Sequence, residues 1–136
     1  MFDKPFQLEI IAPDRVVYRD QAVGVSAPGV EGGFQVLFNH APLVSALEVG
    51  RITVKSPGGH ALYFATSGGF LEVRDNAVVA LVDTAERADE IDVPRAKAAR
   101  DRAEKRLHEP FGTIDIERAR AALMRAINRL RIAPKS

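Results

Sequence analysis

Polar and apolar residues alternate through Phe6-Gln7-Leu8-Glu9-Ile10, and short apolar segments return at Val16 to Tyr18, Leu43 to Leu47, Ile52 to Val54, Leu62 to Phe64, Phe70 to Val73 and Ala77 to Val82. Between them stand Pro13-Asp14, Gly32-Gly33, Pro57-Gly58-Gly59, Gly68-Gly69 and Asp75-Asn76, which supply turn chemistry. No intervening segment is long and periodic enough to be a crossover helix, so the pattern predicts an antiparallel β-sandwich over residues 1–84.

From Thr84 the period changes. Alanine rises, glycine thins out, and two runs of helix formers are divided by the breaker cluster His108-Glu109-Pro110-Phe111-Gly112. Val93, Ala96, Arg100, Ala103 and Leu107 step by three and four in the first run; Ile116, Ala119, Leu123, Ala126 and Leu130 do so in the second. The pattern predicts a helical hairpin over 85–136. Its alanine-rich seams bury little area, at ~0.8 kcal/mol per methylene, so such a hairpin is weakly held by its own contacts and is able to detach or extend.

Each helix is preceded by the same phrase, Ile-Asp-x-x-Arg-Ala, at Ile91 to Ala96 and at Ile114 to Ala119. Asp92 and Asp115 suit N-caps, where a carboxylate accepts free backbone N–H groups and meets the positive end of the helix dipole. Ile91 and Ile114 then sit where a hydrophobic staple is expected against Ala96 and Ala119, and Pro94 in the first turn loses no helical bond. This accounts for Ile and Asp but not for the arginines.

Charge sharpens that question. The net charge of +1 divides into 13 Lys+Arg against 9 Asp+Glu for residues 84–136 and 6 against 9 for residues 1–83; ten of the thirteen cations are arginine. Arg100 has Glu104, Arg118 has Asp115 and Arg120 has Glu117 at helical spacing, ordinary surface pairs. Arg102, Arg125 and Arg129 have no carboxylate three or four residues away. Arg95 with Arg102, and Arg125 with Arg129, share helix faces, so an antiparallel hairpin would bring four guanidiniums together. That arrangement suits a polyanion, an acidic protein face or a solvated surface.

Other chemistry is thin. The 136 residues hold no cysteine, three scattered histidines, no P-loop and no nucleophile elbow, and no apolar run nears the ~20 residues of a membrane span. His40 beside Ala41-Pro42-Leu43 reads as structural, and Gly68-Gly69 with Phe70 as a bulge or bend. The N-terminus shows no secretory pattern, which makes a cytoplasmic location the default expectation. Nine interspersed acids and the single aromatic Phe111 argue against nucleic-acid binding by the tail.

Taken together, "AERADEIDVPRAKAARDRAEKRL", "DIERARAALMRAINRL", "FNHAPLVSALEVGRI" and "ATSGGFLEV" resemble, in matching order over nearly the whole chain, the epsilon subunit of bacterial F-type ATP synthase. The resemblance implies a non-catalytic subunit of the central stalk: a β-sandwich on the gamma subunit and the c-ring rotor, and helices that inhibit ATP hydrolysis when extended toward the alpha/beta catalytic head. It also implies peripheral placement at the cytoplasmic face of the inner membrane, with no insertion into it, and hydrogen ion transport by the whole complex. No catalytic cofactor is implied, but ATP is the expected regulatory ligand of the compact hairpin. Carried over by position, its contacts are Glu86, Ile91, Asp92, Arg95, Ala96, Arg102, Arg125 and Arg129, and only the first copy of the repeat touches nucleotide. This chain departs from the family at Leu37-Phe38-Asn39-His40, where a bulky aromatic stands in the turn, and carries Pro94, Pro110 and Gly112 in and between the helices. The alternative is a stand-alone ATP-sensing or protein-interaction module without a rotary partner.

Overall fold

The computed structural model describes residues 4–109 and 115–134. It divides into two units, one reaching to Arg87 and one beginning at Ala88. The first unit is built of β1 (Phe6–Ala12), β2 (Arg15–Ala22), β3 (Gly24–Gly29), β4 (Gly32–Val36), β5 (Leu43–Leu47), β6 (Gly50–Lys55), β7 (Ala61–Thr66), β8 (Gly69–Arg74), β9 (Ala77–Val82) and β10 (Ala85–Arg87). Hydrogen bonding links them in the order β10-β7-β6-β3-β5-β8-β9-β1-β2, with β4 beside β3. Every pairing is antiparallel except β1 with β9, which run parallel from Gln7 opposite Ala77 to Ile11 opposite Leu81. The expected sandwich is therefore present, with one parallel seam.

Alternation decides which face goes inward. Along β1, Phe6, Leu8, Ile10 and Ala12 are buried while Gln7, Glu9 and Ile11 are not. The inward residues join Val25, Val36, Ile52, Val54, Phe64, Leu71, Val73 and Val78 in one core. Each large side chain here contributes roughly 1.5–3 kcal/mol by leaving water. β3, β4 and β10 were not expected: Gly24, Pro28, Gly29, Gly32 and Gly33 look like turns, yet β3 pairs with β4, β5 and β6. Small residues suit that crowded position, where a Cβ on Gly29 would press on the Gly32 carbonyl and the Phe34 ring.

The turns are fixed by local chemistry. Asp75 and Asn76 both take positive φ and close the β8–β9 hairpin, the backbone that a two-residue type I′ turn requires. The Asn76 side chain also accepts the Asn39 backbone N–H at 2.7 Å and donates back to Asn39 Oδ1 at 3.0 Å. The departure Leu37-Phe38-Asn39-His40 thus ends in a left-handed Asn39 held by this clamp. Arg15 donates to the Ala85 carbonyl at 2.9 Å, tying the two ends of the strand order together at β10. Thr66 adds a bond to the Thr84 carbonyl at 3.0 Å.

In the second unit a single 3-10 turn at Ala88–Glu90 leads to α1 (Val93–Leu107) and α2 (Ile116–Ile132), which pack on one another. Ala96, Ala103, Ala119 and Ala126 are buried, as the alanine seams predicted, while Val93, Leu107, Leu123 and Leu130 are half-buried. Two seam positions differ. Ile116, the first residue of α2, is exposed, and Arg100 is half-buried with its guanidinium on Asp101 at 3.3 Å instead of on Glu104. Asn128 is buried in place of a hydrophobic residue. Ile114, Pro110, Phe111 and Gly112 lie outside the described residues.

Candidate anion-binding groove

Both helix starts are capped as the repeat predicts. Asp92 Oδ1 accepts the Arg95 backbone N–H at 3.1 Å, and Pro94 stands in the first turn of α1. Asp115 Oδ1 accepts two N–H groups, from Glu117 at 3.0 Å and Arg118 at 3.2 Å. What Asp115 takes from Arg118 is thus its backbone N–H.

A groove of about 410 Å³ between the two helices is lined by Ala99, Arg102, Ala103, Arg106, Asp115, Arg118, Ala119, Ala122 and Arg125. Four of the nine lining residues are alanine, two of them, Ala103 and Ala119, buried. The rest are four arginines and one aspartate. Fork-shaped donors of this kind match phosphate or carboxylate oxygens in two-point contacts. Arg102, Arg118 and Arg125 are exposed, so the groove is open to a soluble ligand.

The residues assigned to the ligand by resemblance fall into three places. Arg102 and Arg125 meet in the groove, one from each helix. Ile91, Asp92, Arg95 and Ala96 form the start of α1 outside its lining; Ile91 and Ala96 are buried, Asp92 and Arg95 exposed. Arg129, half-buried near the end of α2, is also outside the lining, and Glu86 lies half-buried on β10 in the first unit. Spacing missed Arg106 and Arg118. Arg106 follows Arg102 by four residues, which was the available signal, but Arg118 had been given to Asp115.

The two units coincide with two recognised domains. Residues 5–88 match the beta-sandwich domain of the ATP synthase delta/epsilon chain, and residues 89–133 match its long alpha-helix domain. An ATP synthase epsilon chain from Desulforamulus reducens is 49% identical over 130 residues, covering 96% of this chain and 98% of its own. One from Syntrophomonas wolfei is 47% identical over 135 residues, covering 99% and 98%. The chain belongs to the ATP synthase delta/epsilon family. A solved structure of the Euglena gracilis mitochondrial ATP synthase contains a chain of the same fold, with a TM-score of 0.76 at 24% identity, over 88% of this chain and 76% of that one. For this delta/epsilon chain, no helix among the described residues is long and apolar enough to cross a membrane. Among those residues no group of three or more potential metal ligands is present either.

Proposed function

We propose that this chain is the epsilon subunit of the central stalk of a proton-translocating ATP synthase, held peripherally at the cytoplasmic face of the membrane through gamma and the c-ring. In this reading it is a non-catalytic subunit. Its sandwich couples the rotor to the catalytic head, and its helices inhibit ATP hydrolysis when they leave the compact hairpin for the alpha/beta subunits. ATP is the ligand of the compact form. Family membership over the whole chain supports the stalk role, and the observation that carries the regulatory role is the pairing of Arg102 and Arg125 across one groove.

Ligand linkage gives the mechanism its size. A ligand that binds only the compact hairpin stabilises it by RT ln(1 + [L]/Kd), ~2.7 kcal/mol at a hundredfold excess over Kd. The triphosphate would accept from Arg102 and Arg125, which come from different helices, so its binding bridges them and opposes separation. Isothermal titration of the full chain with ATP and ADP tests this. Saturable one-to-one binding that prefers ATP and weakens about tenfold or more in Arg102→Ala and in Arg125→Ala is expected. Absence of binding up to millimolar ATP would refute the sensor role, and failure to copurify with gamma would refute the stalk role in favour of a stand-alone module.

A further inference from the structure

A triphosphate held by Arg102 and Arg125 uses two of the four arginines in the groove. Arg106 and Arg118 line it as well and are exposed, and among the described residues none of the four is ion-paired with a carboxylate. Arg106 stands in the last turn of α1 and Arg118 three residues after the N-cap of α2, so they share the end of the groove where one helix gives way to the next. Arg102 and Arg125 lie further in. Seven residues separate Arg118 from Arg125 and four separate Arg102 from Arg106, about 10 Å and about 6 Å of helix at ~1.5 Å per residue. The basic lining is therefore longer than the span from first to last phosphorus of a triphosphate.

The lining is also chemically monotonous. Alanine, arginine and one aspartate offer no aromatic ring on which a base could stack, and no amide or hydroxyl side chain to read a base edge. The Asp115 carboxylate already accepts two backbone N–H groups through Oδ1. It offsets one of the two cations at its end of the groove and leaves that end positive. Arginines repeated along both helices suit a ligand that repeats one anionic group along its length, because each guanidinium fork takes a pair of phosphoryl oxygens.

We infer that the groove takes linear inorganic polyphosphate, a chain long enough to run from Arg102 and Arg125 on to Arg106 and Arg118. The inference rests on the reading that phosphate is held in this groove, and it extends the class of ligand beyond ATP. A chain that bridges both helices opposes their separation as a nucleotide does, so polyphosphate competes with ATP and holds the same compact hairpin. Single-stranded RNA is the other long phosphate chain. It carries a base on every unit, and the groove supplies nothing for bases to stack on.

The test is calorimetric titration of the full chain with ATP, with inorganic triphosphate and with a narrow fraction of longer polyphosphate chains. The long chains should bind about tenfold or more tighter than triphosphate and should displace ATP, since they add two charge-assisted contacts. Arg106→Ala and Arg118→Ala should each remove most of that gain, whereas a gain that came only from the many registers of a long chain would survive them. The double variant should also lower the slope of log affinity against log salt by about one to two, as expected for two lost phosphate contacts. Arg131→Ala, exposed in the last turn of α2 and outside the lining, should bind within about twofold of wild type. ATP binding with long chains no tighter than triphosphate, or a gain left intact by Arg106→Ala and Arg118→Ala, would overturn the inference and leave the ATP reading standing. Failure of both ATP and triphosphate to bind would overturn the reading of the groove itself. Oligouridylate of matched charge binding as tightly as polyphosphate would assign the groove to nucleic acid, and polyglutamate doing so would reduce it to an unselective basic patch; either result overturns the inference.

Discussion

Asp115 performs two tasks that a substitution can separate. Its carboxylate caps α2 through the Glu117 and Arg118 N–H groups, and the same carboxylate lines the groove beside Arg102, Arg106, Arg118 and Arg125. Asparagine caps a helix about as well as aspartate, so Asp115→Asn should retain α2 and lose less than about 1 kcal/mol from the helix dipole. Alanine cannot accept, and Asp115→Ala should cost about 1–2 kcal/mol in helix stability. A groove of 410 Å³ is about 7 Å across. Two unit charges 7 Å apart interact by ~0.8 kcal/mol at an effective dielectric near 60, and salt removes a part of that. Removing the one carboxylate that repels a phosphate while keeping the four arginines should therefore tighten ATP about two- to fourfold.

The assay is isothermal titration of wild type, Asp115→Asn and Asp115→Ala with ATP at two salt concentrations, with hydrogen exchange of the α2 amides measured alongside. The expected pattern is tighter binding in Asp115→Asn with unchanged exchange, an advantage that shrinks at high salt. Asp115→Ala should gain less, because loss of the cap loosens the helix that presents Arg118 and Arg125. Equal or weaker ATP binding by Asp115→Asn would refute the placement of phosphate in this groove, whatever happens to exchange.

Three further outcomes follow from the packing. Ala103→Leu, at a buried seam position, should overpack the hairpin by about 1–3 kcal/mol and speed amide exchange in both helices; unchanged exchange would contradict the tight seam. Gly69→Ala combines a φ of +146° with a Cβ driven into the Leu81 carbonyl, so its melting temperature should fall by 10 °C or more, on the order of 3 kcal/mol, and a small change would mean that the β8–β9 start can shift freely. Burial raises the pKa of Tyr18 above the ordinary value near 10, with the Asp20 carboxylate adding to it. The fold then favours the neutral phenol: this stabilisation is complete below pH 10 and is lost as pH rises through the folded-state pKa. Urea unfolding between pH 9 and 11 should show a steeper alkaline decline in wild type than in Tyr18→Phe, and parallel curves would refute the assignment.

What was legible in the sequence was what local chemistry decides. Alternation identified β1, short apolar segments between turns marked β5 and β9, and Asp92 and Asp115 announced their helices because an N-cap acts on residues two or three positions away. β3 and β4 were hidden because a crowded central strand selects Gly24, Pro28 and Gly29, the same residues that turns select. β10 has three residues, and its partner β7 is some twenty positions earlier, so nothing local marks it. The groove was half legible: helical spacing isolated Arg102 and Arg125 and puts Arg106 on the face of Arg102, whereas Arg118, three residues after Asp115, reads as the surface partner of that carboxylate. The exposed apolar side chains Val16, Val44, Phe70 and Leu81 were illegible as a group, since they come from four strands and share one sheet only through register.

The alanine seam and the arginine walls are two sides of one energetic choice. With leucine instead of Ala96, Ala103, Ala119 and Ala126, a roomier hairpin would gain on the order of 2 kcal/mol per position from burial, and no ligand at cellular excess could then decide its state. Alanine keeps the contact close but slight. Arg102, Arg106, Arg118 and Arg125 then subtract from it, because like charges around one groove repel, each pair by a few tenths of a kcal/mol at exposed positions. An anion in the groove reverses that sign, turning mutual repulsion into shared attraction. Under the proposed function, therefore, the ~2.7 kcal/mol available at a hundredfold ligand excess acts on an equilibrium that the sequence has brought close to balance.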